Sequence, residues 1–69
     1  MTIAELYEAF DDVSQFTEIK ILCPIASAHY LEEEIKFSGK FNDISEELRQ
    51  SNVSLFTYDY LQNILTIIT

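Results

Sequence analysis

A chain of 69 residues with 12 Asp and Glu against 4 Lys and Arg carries a formal net charge of −8, while 48% of its positions are hydrophobic, the fraction of a globular chain rather than a disordered one. The length allows one domain, residues 1–69, and a chain this short buries only about 60% of its unfolded surface, so stability must come from packing or self-association. One cysteine excludes an internal disulfide, one histidine beside it leaves too few ligands for structural zinc, and a pI near 4.2 argues against direct binding to nucleic acid or anionic lipid.

The chain opens on Thr2 and Glu5, a T-x-x-E capping box in which each side chain satisfies the other's backbone amide. From there Ile3, Leu6, Tyr7, Phe10 and Val13 recur at helical spacing, and Glu5, Glu8 and Asp12 fall on the opposite side with Asp11 beside them. The spacing predicts a first helix with an apolar and an acidic face. Thr17 to Cys23 is rich in β-formers, with Ile19, Ile21 and Cys23 on one face, and predicts a strand ending before Pro24. Residues 25–29 read as a loop, and the alternation of Leu31, Glu33, Ile35 and Phe37 with Glu32, Glu34 and Lys36 predicts a second, antiparallel strand. Gly39, the only glycine, is expected to take a left-handed conformation where that strand gives way. Asp43 and Glu46 mark the start of a short second helix reaching Gln50. Residues 53–58 and 64–69 form a hairpin across Asp59 to Asn63. The expectation is an α+β domain in the order αββαββ. Its mainly antiparallel four-stranded sheet is packed by one amphipathic helix plus a short second one. Ile3, Leu6, Phe10, Ile19, Ile21, Ile35, Leu48, Leu55, Ile64 and Ile67 should build the core.

Few residues offer reactive chemistry. Cys23 and His29 could form a thiolate pair, but Cys23 shares the apolar strand face with Ile19 and Ile21 and reads as an inert packed thiol. His29 with Glu32, Glu33 and Glu34 could hold a cation, yet consecutive carboxylates in a strand point to alternating sides and do not converge. There is no Gly-rich phosphate loop, nucleophile elbow or paired zinc spacing. The expectation is a protein without catalytic residues, metal or cofactor. Met1 to Phe10 lacks the Lys or Arg of a signal peptide, no apolar run is long enough to span a membrane, and a free cysteine suits a reducing cytoplasm.

The acidic residues are the strongest remaining signal. Glu5, Glu8, Asp11, Asp12 and Glu18 precede any basic residue. They either solvate a small domain or imitate a row of phosphates for a basic groove. At 1.5 Å per residue, positions 5, 8 and 12 would span roughly 10 Å of one helix face. Tyr58, Asp59 and Tyr60 at the hairpin end form a second candidate binding surface, as tyrosines are frequent interface anchors.

The opening T-I-A-E-L-Y-E-A-F, the segment I-K-F-S-G-K-F-N-D-I-S-E-E-L and the closing hairpin resemble small acidic proteins carried by phages and conjugative elements of low-GC Gram-positive bacteria. That group includes anti-CRISPR and anti-restriction inhibitors, compact single domains acting without cofactors. The resemblance implies a mobile-element-encoded protein of the host cytoplasm. It would bind and inhibit or regulate a nucleic-acid-processing protein, a CRISPR effector nuclease among the candidates, through its carboxylates and with no direct contact to nucleic acid or membrane. Lys20, Lys36, Lys40 and Arg49 break up the acidity and favour a local patch over full-length mimicry. The alternative expectation is a structural or adaptor module whose charge serves solubility. It would dimerise through the uncharged strand Ile64 to Thr69, a sticky edge if unpaired.

Overall fold

A computed structural model describes residues 1–26 and 31–69. The elements are α1 (Ile3–Ala9), β1 (Glu18–Ala26), β2 (Leu31–Lys40), a 3₁₀ turn over Phe41–Asp43, α2 (Glu46–Arg49), β3 (Leu55–Asp59) and β4 (Ile64–Ile68). This is an α+β fold in the order αββαββ. The four strands form one sheet in the order β2-β1-β4-β3, with β1 and β4 parallel at its centre and both outer pairs antiparallel.

The first helix begins as its sequence dictates. The Thr2 hydroxyl accepts from the Glu5 amide at 3.2 Å, and the Glu5 carboxylate accepts from the Thr2 amide at 2.8 Å. It ends at Ala9, a turn earlier than the apolar spacing implies, with Phe10 already extended at φ −98° and ψ 101°. Asp11 and Asp12 would place two negative charges at the negative end of the helix dipole, and Asp is a poor helix former; both effects stop propagation there.

Ile3 and Leu6 lie on Ile19 and Ile21 of β1, Leu65 and Ile67 of β4, and Ile44, the buried residue before α2. Phe10 and Leu48 pack against this cluster half-buried, as do Tyr7, Val13, Phe37, Phe41, Val53 and Tyr58. Aromatic contacts extend it: Tyr7 stacks on Phe41 at 3.8 Å between centroids, and Phe10 meets Phe56 and Tyr58 edge-on, each at 5.6 Å.

Three expected core residues fall elsewhere. Ile35 is 66% exposed because the β1/β2 register shifts by one residue between Ile21 and Leu22. Phe37 pairs with Ile21 and Ile35 with Leu22, so the unpaired Lys36 forms a bulge that sends Phe37 to the core and Ile35 to the opposite face. Leu55 is 59% exposed because Phe56 and Tyr58, opposite Ile67 and Leu65, supply the inward face of β3. Ile64 is half-buried on the outward side, since Leu65 and Ile67 take the inward parity of β4.

Element ends also move. β1 runs through Pro24, and β4 ends at Ile68 opposite Leu22. Beyond Leu22 the strand pairs only with β2, where a missing amide donor is tolerated. Gly39 lies inside β2 opposite Ile19, at φ 156°. A Cβ there would stand 3.2 Å from Cζ of Phe37, so glycine leaves room for the ring. The cap of α2 is Ser45, whose Oγ accepts from the Leu48 amide at 3.3 Å, and not Asp43, which closes the preceding 3₁₀ turn. The C-terminal strand is no edge: β1 flanks it on one side and β3 on the other, so dimerisation through its free edge is excluded. The edges are β2 and β3.

Candidate functional site: an acidic and aromatic end

The turn after α1 and the β3–β4 hairpin meet at one end of the sheet, and a partly buried hydrogen-bond network joins them. Thr17, fully buried, accepts from the Ser14 amide at 3.0 Å and donates to Oδ1 of Asn63 at 2.9 Å. The Tyr58 hydroxyl donates to the same Oδ1 at 2.6 Å, and the Asn63 carbonyl accepts from the Glu18 amide at 3.1 Å. Asn63 sits at φ 55°, the left-handed region that Asn tolerates better than most residues. One residue, through its side chain and its carbonyl, thereby ties together the hairpin turn, the start of β1 and the parallel β1/β4 pairing.

The network brings together residues that are distant in sequence. The Tyr60 hydroxyl donates to Oδ2 of Asp12 at 3.1 Å, with Tyr60 71% exposed and its ring 4.8 Å from that of Tyr58. The hydrogen bond to Asp12, then the charge of that carboxylate, holds the Tyr60 phenol above its usual pKa. Asp12 and Tyr60, from two separate candidates in the sequence, are thereby joined. Asp11 and Asp12 are exposed in the turn, not on the helix, and Glu5 and Glu8 are exposed on α1. The Thr2 amide holds the Glu5 carboxyl below its ordinary pKa, so Glu5 is a capping group as well as a charge.

Other candidates are placed differently. Tyr58 turns into the network and packs on Phe10. Asp59 accepts from the amides of Leu61 at 2.9 Å and Gln62 at 3.2 Å, and so shapes the hairpin turn. Glu18, half-buried, starts β1 opposite Lys40 on the outward face of the sheet, away from α1. Cys23 is half-buried opposite Glu34. His29 lies outside the described residues, as do the side chains of Glu32 and Glu33, and with them the thiolate and cation readings.

Two residues escaped sequence reasoning. Phe16, 71% exposed, and Leu61, 98% exposed, stand in the two joined turns as apolar side chains beside the acidic ones. The available signal was an aromatic just ahead of the predicted strand start at Thr17 and a leucine within a five-residue hairpin connection.

The charges divide between the two sides of the sheet. Exposed carboxylates of Glu5, Glu8, Asp11, Asp12, Asp43, Glu46 and Glu47 belong to the helical layer and its turns. Arg49, the cation of that layer's second helix, folds inward: its guanidinium lies 4.6 Å from the Phe41 ring centroid, and Nη2 donates to the carbonyls of Phe41 and Asn42, both at 3.2 Å. Lys20 and Lys40 lie on β1 and β2, on the outward side of the sheet. Among the described residues no helix is long and apolar enough to cross a membrane. Comparison with known proteins finds no matching family model, no similar characterised protein and no similar solved structure.

Proposed function

We propose that this chain is a non-enzymatic acidic binding protein that occupies the basic surface of a nucleic-acid-processing protein and inhibits or regulates it. The observation that supports the reading is the division of charge: seven exposed carboxylates on the helical side, with the nearby arginine turned inward. A basic groove gains most of its affinity for nucleic acid from charge neutralisation, and a rigid row of carboxylates offers the same interaction. Phe16, Tyr60 and Leu61 add apolar anchors at the rim of the acidic end, which a purely solvating surface has no need of. The resemblance to mobile-element proteins makes a bacterial CRISPR effector nuclease the first partner to try, and the host cytoplasm the place of action.

The test is affinity capture from a bacterial lysate with the tagged chain and with Glu8→Lys/Asp11→Lys/Asp12→Lys. Glu5 is left alone because its reversal would break the helix cap. The reading expects a nucleic-acid-binding protein on the unmodified chain, released as salt rises because exposed charges are screened over about 8 Å at physiological ionic strength, and absent from the triple variant. Equal capture of the same protein by a folded triple variant would sink it.

A further inference from the structure

The outward face of the sheet has a composition unlike the rest of the molecule. Strand register aligns it in three rows that cross all four strands in the order β2, β1, β4, β3. The first row is Lys40, Glu18, Ile64, Asp59; the second is Ser38, Lys20, Thr66, Thr57; the third is Ile35, Leu22, Ile68, Leu55. Directly paired residues share a face, so the third row is a continuous aliphatic stripe from one edge of the sheet to the other. Ile35 and Leu55 at its ends are 66% and 59% exposed, and Leu22 and Ile68 between them are half-buried. These three rows carry two lysines and two carboxylates, so they are electrically balanced in a chain of net charge −8.

We infer that a second copy of this chain docks on this face, sheet against sheet, about a twofold axis parallel to the strands. Such an axis lays β2 of one copy over β3 of the other and β1 over β4, leaving each row on itself. Ile35 then faces the second copy's Leu55, and Leu22 faces its Ile68, so the aliphatic stripe packs on its own reverse. In the first row Lys40 of each copy comes over Asp59 of the other, one opposite-charge pair at each edge. The complementarity is a property of the register: cation and anion stand at opposite ends of the same row, which is the arrangement a twofold requires. The seven exposed carboxylates of the helical layer and its turns belong to the other side of the sheet, so two acidic chains associate without bringing those charges together. The proposal concerns the opposite face of the sheet, which meets the acidic end only at Asp59, and stands whether or not that end binds a partner.

The test has two arms. Carbodiimide joins an amine to a carboxylate without a spacer, and Lys40 and Asp59 of one chain lie three strand spacings apart, about 14 Å, too far for an internal link. A mixture of unlabelled and heavy-isotope-labelled chains should give a Lys40–Asp59 cross-link of mixed isotope. In sedimentation equilibrium the unmodified chain should show a concentration-dependent dimer of the 8.0 kDa unit. Ile35→Asp/Leu55→Asp, at positions already exposed in the single chain, should keep its circular dichroism and raise the dimer dissociation constant by about tenfold or more, since each copy would bury unpaired carboxylates. A monomer at every concentration overturns the proposal. So does a dimer that lacks the cross-link or survives the double substitution unchanged.

Discussion

Asn63→Ala removes the side chain on which the two halves of the sheet converge. Alanine at φ 55° carries left-handed strain of roughly 1–2 kcal/mol that Asn largely escapes. The Thr17 hydroxyl, fully buried, loses its acceptor at 2.9 Å, a loss of about 1–3 kcal/mol. The Tyr58 hydroxyl also loses its partner at 2.6 Å but is only half-buried and can turn toward water. The expected total is about 3 kcal/mol, a third or more of the roughly 3–10 kcal/mol that a domain of this size holds. At an m-value of about 1 kcal/mol/M the urea midpoint should fall by about 3 M. Asn63→Gly separates the causes, because it relieves the strain but not the lost acceptor, and should recover about 1 kcal/mol of the loss. In a Thr17→Val background the Asn63→Ala loss should shrink, since the hydroxyl that needs the acceptor is gone. A urea midpoint unmoved by Asn63→Ala, or a loss unchanged in the Thr17→Val background, would refute the reasoning.

Further predictions rest on single contacts. Leu6→Ala should cost about 2–5 kcal/mol in urea unfolding, the range for a buried leucine, and an unchanged midpoint would remove Leu6 from the core. The Glu5 carboxyl is held below its ordinary value of 4.5, so its capping contribution is present above that pH and lost as pH falls through the lower folded value. Glu5→Gln should flatten this acid limb of the stability profile, and an unaltered limb would contradict it. Tyr60 has the opposite sign: its phenol is raised above 10.0, so the favourable contribution is full below that pH and fades as pH rises through the folded value. Asp12→Asn should bring the Tyr60 titration, followed by its ring resonances, down toward the ordinary value; an unmoved titration would break the pairing of turn and hairpin.

Element order was legible because caps and periodicity are local. Thr2 and Glu5 mark a helix start with two hydrogen bonds that need no tertiary partner, and the alternation of Ile19 and Ile21 survives whatever surrounds it. Register was not legible. The bulge at Lys36 reverses the facing of Ile35 relative to Phe37, though they are two residues apart and would share a face in a regular strand. In Ile64-Leu65-Thr66-Ile67-Ile68 every position is a β-former, so no alternation says which parity points inward; helix contacts on Leu65 and Ile67 decide it. The candidate site was half legible. The exposure of Glu8 follows from its helical spacing, but Asp11 and Asp12 lie beyond the helix that this spacing implied, and the meeting of Asp12 with Tyr60 spans 48 residues and depends on the parallel pairing of β1 with β4.

The most direct measurement of whether the acidic end stands in for nucleic acid is competition in the capture experiment by duplex DNA added at fixed salt. DNA should displace the captured protein from the unmodified chain in proportion to its concentration, because both occupy one basic surface. Retention of the protein together with bound DNA, at undiminished amount, would contradict it.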